Sequence, residues 1–285
     1  MNKIYNKKTN EITIHIVSDS TGETINRAVT ATIAQFPSVN KEEVFWPMIR
    51  SEKQVDEVVD YVSKRPGLVV LSILDETHRK RLEDGCNKIN VPFTSPLDEL
   101  YEIFKKSLSL SRTRIVGSQH KLDENYFKKV EAFEYAMQHD DGQKVDTMKN
   151  ADVILVGVSR TSKTPTSIYL ANKGLKVANI PLVANTPLPK EIFAFSKPII
   201  IGLLKDPRSL LHVRQTRLNV MGEKHLTQYA DLDSIKLEIV QARKIYTKYA
   251  WPSIDVSRRS VEETSATIIQ IINSKLLERR WFLLL

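Results

Sequence analysis

Short apolar, β-branched runs alternate along this chain with amphipathic stretches at helical spacing. Ile12–Val17 is the first such run, and residues 25–36 after it repeat apolar positions three and four apart. Residues 44–49 then read as extended, and 51–63 place Val55, Val58, Val59 and Val62 on one helical face. Residues 68–74 read as a buried strand, 76–88 as a charged helix, 91–94 as a short strand and 97–107 as a helix. Repeated strand–helix units of this kind predict a parallel sheet flanked by helices.

The rhythm breaks at SLSRTRIVGSQHK, residues 109–121, which has no apolar period. A domain boundary is expected there, giving an N-terminal α/β domain over 1–110 and a second domain over 111–285. Helix 124–138 follows, with the glycine of HDDG as its stop. Strand 151–156, loop 157–163, helix 164–173 and strand 176–180 come next, then a proline-rich crossover at 181–189. Strand 198–204, helices 207–221 and 232–248, short strand 254–256 and helix 261–278 complete the pattern. The expected fold is α/β in two domains, each with a mainly parallel, helix-flanked sheet, the second with a phosphate-loop kinase-like core.

Charge sharpens this division. Residues 1–110 carry 15 Lys and Arg against 16 Asp and Glu, whereas residues 111–285 carry 27 against 18. The whole excess of +8 therefore belongs to the second part, where a polyanionic ligand or an acidic partner is to be sought. The basic residues are dispersed, without aromatic interleaving or a zinc-finger or RNP pattern, which argues against nucleic acid. Apolar runs are strand-length and the terminal WFLLL is short, so no membrane span is expected. MNKIYNKKTNEI has no apolar region after its lysines, and the single cysteine, Cys86, forms no intramolecular disulfide. A reducing, cytoplasmic setting is expected.

The strongest chemical signal is ADVILVGVSRTSKTPTSIYLANKG, residues 151–174, in which a strand enters a Gly–x4–Ser–Lys–Thr turn that opens a helix. Phosphate-binding loops have the form Gly–x4–Gly–Lys–Ser/Thr in this same context. Backbone amides of Gly157, Val158, Ser159, Arg160, Thr161 and Ser162 would wrap an anion, aided by the helix N-terminus and by Lys163. Thr164 is placed to hold Mg²⁺ through its hydroxyl, and Pro165 suits a first helical turn. Arg160 adds a second cation for developing phosphoryl charge. Ser162 stands where the pattern has glycine, which restricts positive φ, and a Ser/Thr-rich turn that only caps a helix is the competing interpretation.

Two weaker signals accompany it. HIVSDSTGET, residues 15–24, is another strand–turn–helix, either an anion- or hydroxyl-binding loop or plain N-capping. Strand 198–204 closes on Lys205 and Asp206. Asp206 is a candidate base or metal anchor and equally a good cap for the helix at Pro207. Arg208, His212, Arg214 and Arg217 on that helix suit either phosphate contacts or a solvated face. The six histidines lack metal-ligand spacing, Asp140–Asp141 reads as a helix end, and Cys86 lacks a catalytic context.

HIVSDSTGET, EAFEYAMQHDDG, residues 151–183, GLLKDPRSLLHVRQTRL and IDVSRRSVEETSATI together resemble the regulatory proteins of pyruvate, phosphate dikinase, a family that includes the phosphoenolpyruvate synthase regulators. The resemblance covers nearly the whole chain, and SRTSKTP is similar to the dikinase branch, with SRCGKTP expected of the other. The family accepts serine at the position of Ser162. The resemblance implies a bifunctional enzyme that phosphorylates an active-site threonine of the dikinase with ADP, releasing AMP. It also implies reactivation by phosphorolysis, in which phosphate takes the phosphoryl group and leaves as pyrophosphate. On that implication ADP and phosphate are co-substrates, Mg²⁺ arrives with the nucleotide, and the dikinase is the protein partner. Lys163 and Arg160 become charge stabilisers and Asp206 the candidate base or metal anchor. A small-metabolite kinase and a nucleotide-sensing module are the alternatives, and the oligomeric state, a homodimer included, stays open.

Overall fold

Six consecutive apolar or small residues with no polar break, Val153–Val158, suit only a strand covered on both faces. All six are buried in this strand, β6, and so are all six of Ile199–Leu204, β8. This computed structural model describes residues 4–6, 9–111, 113, 115–116, 124–183, 186–221 and 228–282. Residues 283–285 of WFLLL, and 112, 114 and 117–121 of the basic stretch, lie outside the described residues. The chain divides into two compact units, Met1–Lys121 and Leu122–Leu285.

In the first unit β1 (Tyr5–Asn6) pairs antiparallel with β2 (Glu11–Ser18), and four parallel strands form the body of the sheet. Their order is β3 (Asn40–Trp46), β2, β4 (Leu68–Ser72), β5 (Phe93–Thr94). Helix α1 (Glu23–Ile33) sends Ile25 and Val29 against Ile14, Ile16 and Val70 on one face. Helices α2 (Glu52–Lys64) and α3 (Glu76–Lys88) cover the other, with Val55, Val58, Val62, Leu82 and Cys86 packed on Val17, Val69 and Leu71. Burial pushes the Cys86 thiol up to about 11, so it behaves as a small core hydrophobe rather than a nucleophile. Helix α4 (Asp98–Leu108) closes the unit.

Strand β3 starts four residues before the extended segment expected at 44–49. It is an edge strand paired only with β2 among the described residues, and its first three residues are exposed. A polar edge leaves no apolar pattern to detect.

The second unit repeats the strand order: β7 (Val177–Leu182), β6, β8, β9 (Ser253–Asp255), all parallel. In each sheet the first of the parallel strands is interior, the second lies beside it on one side and the chain then crosses back to the other. The reversal opens a crevice at the carboxyl ends of β2 and β4, and of β6 and β8, where ligands of such sheets bind. Helices α5 (Glu124–Gln138), α6 (Lys163–Ala171), α7 (Pro207–Met221), α8 (Leu232–Lys248) and α9 (Val261–Phe282) flank the second sheet. Among the described residues no helix is long and apolar enough to cross a membrane.

One contact fixes α8 on its sheet. Tyr246 lies on the bare backbone of Gly202, and its hydroxyl donates to Val156 O at 2.9 Å and Leu203 O at 3.3 Å. A Cβ at Gly202 would stand 2.4–2.6 Å from the Tyr246 ring. Gly202→Ala is therefore expected to destabilise the protein by about 1–3 kcal/mol, as overpacked cores do. Urea unfolding monitored by circular dichroism, with an unchanged slope and a lower midpoint, is the check.

Candidate active site

Strand β6 delivers Gly157 and Val158 to its carboxyl end, and the chain turns through Ser159–Ser162 into α6. The turn needs two left-handed residues, Arg160 at φ 73° and Ser162 at φ 64°. Ser162 thus adopts the conformation that glycine takes without cost, at an expense of about 1–2 kcal/mol. Thr161, fully buried, donates to Val158 O at 2.9 Å and pins the turn from inside. Gly157 leaves room for it, since a Cβ there would meet Thr161 Oγ1 at 2.7 Å.

Lys163, the first residue of α6, is 5% exposed and folds back under the turn. Its ammonium donates to Gly157 O at 2.9 Å and Val158 O at 3.2 Å. Burial pushes its pKa down to about 8, opposed by the carboxylates of Asp141 and Asp140 and assisted by the charges of Arg214 and Arg160. A buried ammonium beside a helix N-terminus is a cation held ready for an anion.

Thr164 donates through Oγ1 to Asp140 Oδ1 at 2.9 Å, and Asn179 Nδ2 donates to the same oxygen. Asp140 opens a short 3₁₀ turn after α5, and Asn179 is a fully buried polar residue inside β7. Asn179 Oδ1 accepts from the Asp141 amide at 3.0 Å, and its own amide donates to His139 O at 3.0 Å. His139 is held in turn by Tyr135 O at 2.8 Å and Thr147 Oγ1 at 2.7 Å. The EAFEYAMQHDDG segment thus builds the floor that presents Asp140 to the loop. Asp140 and Asp141 do end a helix, as their sequence suggests, and Asp140 also joins the site. Asn179 had a signal: a lone amide in an otherwise apolar strand.

The outer side of the loop is held by a buried ion pair. Arg214 is 1% exposed and forms a forked pair with Glu238 at 3.0 and 2.7 Å. It also donates to Tyr229 O at 2.9 Å and Ser159 O at 3.3 Å. The Tyr229 hydroxyl lies 3.2 Å from Ser159 Oγ and accepts from Arg160 Nε at 3.2 Å. Arg214 is therefore withdrawn from solvent with both terminal nitrogens paired and its Nε left without a partner, whereas Arg208, His212 and Arg217 on α7 face solvent. Glu238 and Tyr229 come from segments whose sequence carries no site pattern.

Asp206 is exposed and caps α7, accepting from Ser209 N at 2.9 Å and Ser209 Oγ at 3.2 Å. The Ser209 amide holds its carboxyl below the usual range. Its backbone amide donates to Ser257 Oγ at 2.7 Å, tying the ends of β8 and β9. No hydrogen bond joins its carboxylate to loop 157–164 among the described residues. The structure thus gathers Lys163, Thr164 and Asp140 around the turn and leaves Asp206 as a neighbour at the next strand end.

The family model described as kinase/pyrophosphorylase matches residues 14–269, spanning both units. This chain belongs to the kinase/pyrophosphorylase family. A relative from Bradyrhizobium diazoefficiens is 44% identical over 263 residues, 92% of this chain and 94% of the relative. Others from Rhodopseudomonas palustris and Paramagnetospirillum magneticum are 44% and 41% identical over 267 and 266 residues, 93% of this chain in each case and 96% and 86% of theirs. All three carry the name pyruvate, phosphate dikinase regulatory protein. Kinase/pyrophosphorylase membership carries phosphotransferase activity, for which a loop holding a buried ammonium beside a threonine–carboxylate pair is apt.

The cap geometry makes one structural expectation. Asp206→Asn, an equally good cap, keeps the wild-type melting temperature, whereas Asp206→Ala lowers it by about 2–4 °C. Differential scanning calorimetry of both variants distinguishes them.

Proposed function

We propose that this chain regulates a pyruvate, phosphate dikinase by transferring a phosphoryl group to and from a threonine of that enzyme. In the forward direction the threonine oxygen bonds to the β-phosphorus of ADP, the bond from that phosphorus to the bridging oxygen breaks, and AMP leaves. The hydroxyl proton passes to a carboxylate. In the reverse direction a phosphate oxygen bonds to the phosphothreonine phosphorus, the bond to the threonine oxygen breaks, and pyrophosphate leaves while that oxygen regains a proton.

The observation that carries this reading is the Lys163 ammonium, buried beneath the Gly157–Thr164 turn at the head of α6. Loop amides and Lys163 would hold the diphosphate, with Arg160 over the transferred group. Thr164 Oγ1 and Asp140 are hard oxygen donors 2.9 Å apart and would be the residues to hold a Mg²⁺ brought with the nucleotide. That ion would neutralise phosphate charge. Asp140 joins Asp206 as a candidate base, and its position against Thr164 makes it the stronger one. The names of the relatives support the dikinase as partner, and the basic excess of residues 111–285 suits a nucleotide and an acidic protein surface.

The deciding assay combines the purified chain, the dikinase and ADP labelled in its β-phosphate. Label on a dikinase threonine with AMP release supports the proposal, whereas consumption of nucleotide without the dikinase would make the chain a small-metabolite kinase. Lys163→Ala is expected to lose about 10²-fold or more in both directions. Anionic phosphate favours the charged ammonium, so ADP binding takes up protons once pH rises past about 8, and affinity falls with further increase. Calorimetry in buffers of different ionisation enthalpy reads this uptake, which Lys163→Ala abolishes. Asp140→Asn loses threonine phosphorylation while Asp206→Asn keeps it; the opposite outcome returns the base to Asp206.

A further inference from the structure

Lys163 and Arg214 are buried against the turn at 157–164, whereas Arg160 within it is exposed. An exposed arginine samples many rotamers, and a cation spread over many positions stabilises charge poorly at any one of them. Among the described residues the Arg160 guanidinium makes no ion pair. Its Nε donates to the Tyr229 hydroxyl at 3.2 Å, and neither Nη has a protein partner there.

Tyr229 is itself held firmly. Its ring centre lies 4.7 Å from the Arg214 guanidinium carbon, and its carbonyl accepts from Arg214 Nη1 at 2.9 Å. Its hydroxyl lies 3.2 Å from Ser159 Oγ. Glu238 pairs with Arg214 from the other side, so the tyrosine rests on a buried and neutralised base. The same arginine governs the backbone, because its Nη2 donates to Ser159 O at 3.3 Å. A trans peptide is planar, with a carbonyl and the following amide on opposite sides. Holding Ser159 O toward Arg214 therefore turns the Arg160 amide away from it, and that amide has no acceptor among the described residues.

A phenol suits this place better than an acid. Its oxygen accepts from Nε whichever way its bond to Ser159 runs, and it brings no charge. A carboxylate there would neutralise the guanidinium and compete with phosphate for it. We propose that Tyr229 is a positioning residue for phosphoryl transfer, tethering Arg160 by Nε so that both Nη groups and the full charge face the transferred phosphoryl group. The forked edge left free is the one that matches phosphate oxygens. This inference rests on the assignment of Arg160 to that group.

The test is a double-mutant cycle on the full-length chain, with the dikinase and β-labelled ADP. Tyr229→Phe keeps the ring against Arg214 and is expected to lower kcat about three- to tenfold, the worth of one hydrogen bond. ADP affinity, read by calorimetry, should not change. Arg160→Ala is expected to lose about 10²-fold, and adding Tyr229→Phe to it should cost nothing further. A merely structural role would give the same loss in both backgrounds. Nitrogen-15 relaxation of the Arg160 Nε–H, assigned by its disappearance in Arg160→Ala, reads the tether without any substrate. It should be restrained in the wild type and mobile in Tyr229→Phe. Losses that multiply, a Tyr229→Phe protein at the wild-type rate, or an Nε–H equally mobile in both proteins would each overturn the proposal. A wild-type chain that restrains Arg160 yet puts no label on the dikinase would overturn the proposed function while supporting the tether.

Discussion

A buried ammonium must be surrounded by acceptors, and the second unit is arranged to supply them. Lys163 is withdrawn from water, so the carbonyls of Gly157 and Val158 turn inward to receive its protons and the acids at 140 and 141 lie within electrostatic reach. Turning those carbonyls in directs the chain through left-handed residues, and the left-handed turn sets where α6 begins. Thr161 locks the inside of the bend and Arg214, paired with Glu238, holds the outside. The sheet below anchors both ends, because Tyr246 reaches the carbonyls of β6 and β8 from α8.

The interior strands and most helices are legible in the sequence because their burial is nearly complete. Val153–Val158 and Ile199–Leu204 announce themselves as continuous apolar runs, and α2 as a valine stripe. The polar edge strand β3 does not, since exposure removes the pattern that a reader of hydropathy needs. The loop is legible because its residues are contiguous. Asp140, Asn179, Tyr229 and Glu238 are brought to it from four other places in the chain, and only the fold makes them neighbours.

Asp206 and Arg214 show the same limit from the other side. Each belongs to a residue type and position that suits phosphate chemistry, and each also has a place in the architecture, since one caps α7 and the other staples the loop to α8. Residue type and spacing leave such choices open, because a carboxylate before a proline and an arginine on a helix serve either purpose. Partners decide between them, and partners are a property of three dimensions.

Serine at position 162 has a consequence for how the loop meets a ligand. Glycine would relieve the strain of a left-handed residue but would also open the mirror-image half of conformational space. A β-carbon closes most of that space while the fold imposes the one strained geometry, and Arg160 does the same two residues earlier. Less disorder then remains to be removed when an anion arrives, so less of the binding energy is consumed in ordering the turn. The side chains that look like a departure from a flexible glycine hinge instead act as a splint.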